Sequence, residues 1–204
     1  LNHGKSVDLD LGCLFEMQDG TRSVIQALGD CFGNFHTFPF IELSGDDRTG
    51  ALQGGEWLRI NGKNWDQIHR VVIFAFIYQG VPNWAETDAV VTIYVPEQPP
   101  IEIRLIEGQP FGMCGIVELV NQKGNIEVRR HVQYVKGHKE LDRAFNFGLR
   151  WVAGIRKIKN HLKSGGFFFN SITASGKYRF LSVFARLADS LLLAGRIESV
   201  QCLA

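Results

Sequence analysis

The chain has 204 residues, 45% of them hydrophobic, with 22 Lys+Arg against 21 Asp+Glu, which is enough to bury one sizeable core or two small ones. Aromatic residues make up 11%, more than a disordered chain carries, and no apolar run reaches the roughly 18 to 20 residues that span a bilayer, so disorder and helical membrane spanning are excluded. Charge is divided unevenly: residues 1–155 hold 14 basic and 19 acidic residues, a balance of −5, whereas residues 156–204 hold 8 and 2, a balance of +6. An acidic body argues against a nucleic-acid partner, because phosphate binding needs clustered cations, and it favours cations as ligands.

Leu1 to Gly12 has no apolar stretch of the signal-peptide kind, and Leu1 stands where a Met would, so the true start is expected to lie upstream. Val7 to Leu11 alternates apolar and acidic letters at period two. That places Asp8 and Asp10 on one strand face and Val7, Leu9 and Leu11 on the other. The strand continues through Cys13 to Met17 toward the turn Asp19-Gly20, and Ser23 to Leu28 returns as the second arm of a hairpin. Phe40 to Leu43, Glu56 to Ile60 and Val71 to Tyr78 are further strands, the last apolar on both faces as a central strand would be. Gly45 to Gly55 is a glycine-rich loop, and Gly80 to Trp84 is another.

Ala89 to Val95, Ile101 to Leu105, Met113 to Val120 and Ile126 to Tyr134 complete about nine short strands, a pattern that predicts a mainly β chain folded as a β-sandwich. Short helical turns are expected at Asn64 to His69 and Lys139 to Phe145. After Gly154 the texture becomes basic. Residues 1–156 are therefore read as the sandwich domain and 157–204 as a basic C-terminal extension. Within it, Phe180, Val183, Phe184, Leu187, Leu191 and Leu192 predict one amphipathic helix over Tyr178 to Leu193. Such a helix would dock on the sandwich or on a second copy, and Arg179, Arg186 and Arg196 leave a membrane-surface role open.

Chemistry is concentrated in carboxylates. Asp8 and Asp10 lie about 7 Å apart along one strand face, Asp46 and Asp47 sit in the Gly-flanked loop, and Glu56 follows Gly54-Gly55. Packed together these groups repel, and a divalent cation removes the repulsion most simply. Oxygen ligands without His or Cys select Ca²⁺ or Mg²⁺, and a flexible glycine loop offering carbonyls favours Ca²⁺. The same letters also fit an Asp-rich turn beside a solvated strand face.

Val7-Asp8-Leu9-Asp10-Leu11, Gly45-Asp46-Asp47-Arg48-Thr49-Gly50, Gly55-Glu56 and Ile73 to Tyr78 resemble the signatures of the TerD family of tellurium-resistance and stress-response proteins. The likeness is nearest to its TerA-type branch, through Gly137-His138-Lys139-Glu140-Leu141-Asp142 and Phe147-Gly148-Leu149-Arg150-Trp151, and covers roughly residues 7–155. The resemblance implies a bacterial, non-enzymatic, calcium-binding β-sandwich. Its ligands would fall on Asp8, Asp10, Asp46, Asp47 and Glu56, with Thr49 supporting the loop. It also implies a cytoplasmic protein, at the periphery of the inner membrane in some complexes, with other stress-response proteins as partners. Gly54 and Gly55 stand where the family pattern has two further aspartates, which bears on a second ion. The family's strands ahead of the D-x-D segment have no counterpart here.

Two other classes compete. A metal-dependent or Cys/His hydrolase would need a thiolate beside a base, and Cys13 or Cys114 with His131 or His138 are the available letters. Trp57, Trp65, Trp84 and Trp151 would instead suit a carbohydrate- or metabolite-binding platform, although core packing accounts for tryptophans more simply. The four cysteines stand singly and are expected to be reduced, buried small hydrophobes.

Overall fold

The computed structural model describes residues 8–44, 56–79, 83–87, 89–95, 98–106, 110–153, 180–186 and 198–199. In chain order the strands are β1 (Asp8–Met17), β2 (Arg22–Gln26), β3 (Gly33–Asn34), β4 (Ile41–Leu43), β5 (Glu56–Asn61), β6 (Ile68–Gln79) and β7 (Val90–Tyr94). They continue with β8 (Ile101–Arg104), β9 (Met113–Gln122), β10 (Asn125–Val135), β11 (Val152–Ala153), β12 (Phe180–Arg186) and β13 (Glu198–Ser199). One α-helix, α1 (His138–Phe145), follows β10, and 3-10 turns occupy Leu28–Asp30, Gly62–Gln67 and Trp84–Glu86.

Two antiparallel sheets carry the fold, in the orders β10-β9-β6-β1-β2 and β3-β4-β5-β12-β7-β8, with β11-β13 as a separate small pair. The expected hairpin is present: β1 pairs with β2 in a register that sets Gly12 opposite Gln26 and Glu16 opposite Arg22. Strand β6 lies between β1 and β9 at the centre of the five-stranded sheet. Its residues Val71 to Ile77 are buried without alternation, because both faces are covered.

Each face has its own core. Leu9, Leu11, Cys13, Phe15 and Ile73 of the first sheet pack with Ile41, Leu58, Ile60 and Ile93 of the second to fill the sandwich. On the outer face, Leu14, Val24, Val72, Phe74, Phe76 and Met113 pack under α1 through Leu141, Phe145 and Phe147. Two glycines permit that close approach. A Cβ on Gly12 would lie 2.6 Å from the Phe74 ring, and one on Gly115 would lie 2.7 Å from the Phe145 ring.

The far end of α1 is tied to the sheet by charge. Arg70 donates to Glu16 at 2.7 Å and reaches Glu118 at 3.3 Å, while Arg22 donates to the other Glu16 oxygen at 2.8 Å. The same Arg70 donates to the Phe145 carbonyl at 2.9 Å and lies 4.3 Å from the centre of the Phe147 ring, placing a cation at the helix C-terminus.

The sandwich agrees with the sequence pattern, and the helix it foresees near Lys139 to Phe145 is α1. The helix expected over Tyr178 to Leu193 is corrected: Phe180–Arg186 is strand β12, which pairs with β5 on one side and β7 on the other. Phe180, Val183 and Phe184 satisfy helical spacing, yet the seven-residue stretch is short enough to be a strand as well, and pairing with β5 and β7 decides for the strand. Residues 187–193 of that stretch lie outside the described residues.

Candidate metal centre

Strand β1 enters the sheet through a register shift between Asp8, opposite Gln79, and Leu9, opposite Ile77. From there period two holds: Leu9 and Leu11 face the sandwich core, and Asp10, opposite Phe76, faces the outer side. That outer side is not solvent. Asp10 is 1% exposed, which rules out the solvated-face reading for this residue.

Glu56 opens β5 on the opposing sheet and is 7% exposed. Its Oε2 accepts the Leu11 backbone N–H at 2.8 Å, just beyond the point where the β2 pairing of β1 ends at Gly12. The glutamate thus satisfies an amide of β1 that β2 is too short to reach, and its carboxylate is held one residue along from Asp10. Two of the six sequence-predicted ligands are brought to one corner in this way. Asp8 is placed by its backbone at the start of β1, and Asp46, Asp47 and Thr49 lie outside the described residues. Among the described residues, no group of three or more His, Cys, Asp or Glu side chains could hold a metal by themselves. The donor chemistry at the corner is oxygen alone, as a hard divalent cation requires.

The Cys/His alternative does not assemble. Cys13 and Cys114 are fully buried in the sandwich core, and burial pushes the Cys13 thiol far above its ordinary range. His138 lies on the other face of that sheet, its ring 5.8 Å from Phe74, 5.3 Å from Phe76 and 4.8 Å from Trp151. His131 sits on β10 against the Phe145 ring, with Glu118 at 3.5 Å. The tryptophan platform does not assemble either. Trp65 and Trp84 are buried, Trp84 donating to the Phe111 carbonyl at 2.6 Å, while Arg59 covers the Trp57 ring at 4.2 Å. Cys31 is disulfide-bonded, so the expectation of reduced thiols holds for Cys13 and Cys114 and fails for Cys31.

A buried polar pair that sequence reading missed lies beneath α1. The Nε2 of His138 is 2.7 Å from Oε1 of Gln26, and the Gln26 Nε2 has no hydrogen-bond partner. Desolvation holds the His138 pKa down at about 3. Because that value lies below the unfolded one, His138 contributes stability that is complete above about pH 6.5 and declines as pH falls toward 3. The expected NMR result is a His138 ring Cε1–H resonance that stays flat from about pH 8 to pH 4. A midpoint near 6 would mean that α1 opens to water.

No protein-family model matches the chain, and no solved structure matches it significantly. A tellurium resistance protein, TerA, from an Alcaligenes species is 56% identical over 151 residues, covering 74% of this chain and 44% of that protein. The chain thus spans less than half the length of this curated relative. On that identity, which agrees with the motifs read along β1, β5, β6 and α1, the chain belongs to the TerD/TerA-type tellurium-resistance family.

Proposed function

We propose that this chain is a calcium-binding, non-enzymatic protein of the tellurite stress response, acting through ion-dependent binding or scaffolding. The observation that carries the reading is the burial of Asp10 on β1 next to Leu11, whose backbone amide donates to the buried Glu56 carboxylate. Placing carboxylates out of water is costly unless positive charge or donors compensate, and a bound Ca²⁺ supplies both charge and coordination. Asp10 and Glu56 would furnish ligands from the two sheets. Asp8, Asp46 and Asp47 would complete the oxygen shell, with Thr49 steadying the loop. The relative's name, tellurium resistance protein, supports the tellurite part of the proposal.

The partners we propose are calcium and other stress-response proteins, with no nucleic acid, in the cytoplasm or at the inner-membrane periphery. Among the described residues no helix is long and apolar enough to cross a membrane.

Thermal melting tests the ion. At calcium about 100-fold above its Kd, ligand linkage contributes about 2.7 kcal/mol, or roughly 5–10 °C for a chain of this size. Asp46→Asn should abolish the increment while leaving the melt in chelator unchanged. Equal melting temperatures in calcium and in chelator would remove calcium from the account.

A further inference from the structure

The two large sheets end on four strands, and three of these are short: β2 has five residues, β3 two and β8 four. Short edges offer little for another chain to pair with. Strand β10 is the exception. It runs for 11 residues at the end of the five-stranded sheet, and among the described residues no strand pairs with its open side. From Asn125 to Arg130 it pairs residue for residue with Gln122 to Val117 of β9. Beyond Arg130 the register shifts before Gln133, and Val132 takes φ +50°, so a bulge interrupts the ladder there. A regular edge of six residues, Asn125 to Arg130, is left for a further strand.

The two faces of this edge differ. Ile126 and Val128 are half-buried against the sandwich core, while Glu127 and Arg129 lie on the outer face with 43% and 44% of their side chains exposed. Glu127 accepts from Arg129 at 2.9 and 3.0 Å and from Gln122 at 2.9 Å, and Arg129 lies 3.7 Å from Glu118 of β9. Two copies of β10 joined antiparallel about a two-fold axis normal to the sheet keep each face on its own side, so the axis must pass through one residue. An axis through Glu127 opposes glutamate to glutamate, and one through Arg129 opposes arginine to arginine. An axis through Val128 sets Glu127 opposite the second copy's Arg129, and Arg129 opposite its Glu127, with Val128 meeting its own counterpart on the core side. Opposed side chains stand about 4.5–5.5 Å apart at Cβ, where unlike charges stabilise and like charges destabilise. Charge selects the register through Val128.

We propose that β10 joins a second copy of this chain, antiparallel about Val128, into one continuous sheet with five strands from each copy. The ion pairs already made within each chain then extend across the axis, as two rows in which Glu118, Arg129 and the other copy's Glu127 alternate in sign. The surface shares no residue with the carboxylate corner and stands or falls independently of calcium.

The test is sedimentation equilibrium of the full chain from about 10 μM to 1 mM in chelator, beside hydrogen exchange at the two ends of that range. A monomer–dimer equilibrium is expected, with the slower exchange at high concentration confined to amides between Asn125 and Arg130. Glu127→Arg sets arginine against arginine on both sides of the axis and should weaken association at least about tenfold. The melting temperature of the dilute variant should stay within about 2 °C of the parent, since the pair it removes is solvated. Arg129→Glu should also fail to self-associate, and an equimolar mixture of the two variants should pair again, because each arginine then opposes a glutamate. Should Arg129→Glu fail to fold beside Glu118, the Glu127→Arg result decides alone. A chain that stays monomeric to about 1 mM, a dimer equally tight in Glu127→Arg, or protection at β2 or β8 in place of β10 would overturn the proposal.

Discussion

Truncation after Lys157 is expected to lower the melting temperature by roughly 10–20 °C, or to abolish soluble expression, with calcium affinity falling in parallel. Strand β12 lies inside the six-stranded sheet, where it pairs Phe180 to Ala185 with Asn61 to Glu56 and Ser182 to Arg186 with Tyr94 to Val90. Its removal leaves two facing strand edges about two strand spacings apart, with ladder groups on both sides unpaired. Water can re-solvate those groups, so the net loss is about 1 kcal/mol per hydrogen bond rather than the full cost of a buried orphan, but several are lost together. The exposed edges also invite pairing between chains. Glu56 sits opposite Ala185 in this ladder, so the β5 end of the carboxylate corner loses its lateral support. Val183→Pro should reproduce most of the effect in the full-length chain, since proline removes a ladder donor from an interior strand. A truncated protein that melts like the full chain would mean that β5 and β7 close without β12.

Arg70→Ala is expected to cost about 3 kcal/mol in urea unfolding, seen as a lower midpoint with an unchanged slope. The Arg70 side chain is 17% exposed and is shared among Glu16, Glu118 and the carbonyls of Phe145 and Asn146. Its loss leaves Glu16 with Arg22 alone, frees the α1 C-terminus, and strips the Phe147 ring of its cation. Arg70→Lys should recover less than half, because one ammonium cannot replace a fork that meets acids and carbonyls in different directions. The pH dependence carries the same signature. Burial disfavours the ionised form of Glu16, yet the hydrogen bonds and charges of Arg70 and Arg22 outweigh it and hold the carboxyl below its ordinary range. Glu16 therefore stabilises the fold above the usual carboxylate pKa of about 4.3, and this contribution disappears as pH falls through the lower, folded value. Glu16→Gln should flatten that acid limb. A cost under about 1 kcal/mol for Arg70→Ala would show the network behaving as solvated surface pairs.

The strands were legible where one physical rule dominated. Alternation set the Asp10 face and the Leu9–Leu11 face of β1, and unbroken apolarity marked β6 as central. What alternation could not convey was that the outer face of β1 is covered at this point, so that an apparently solvated aspartate is buried. The misreading of β12 has the same origin. Phe180 to Arg186 is too short for its period to separate helix from strand, and its partners lie about 90 to 130 positions earlier in the chain. The Arg70 network and the Gln26–His138 pair were invisible for a related reason, since most of their contacts join residues far apart in sequence. The carboxylate corner was read largely through motif resemblance, and the Leu11–Glu56 hydrogen bond supplies a physical reason for the glutamate at the start of β5.

Isothermal titration of the full-length chain with calcium, run beside magnesium, tests the central claim most directly. The proposed oxygen site should take Ca²⁺ at micromolar or tighter affinity and Mg²⁺ far more weakly, since the smaller ion demands octahedral geometry and gives up its water reluctantly. Asp10→Asn and Glu56→Gln should each weaken the calcium isotherm by at least about tenfold, one acting from β1 and the other from β5. No calcium heat, or an isotherm untouched by both substitutions, would contradict the account and leave Asp10 and Glu56 as structural carboxylates of the sandwich.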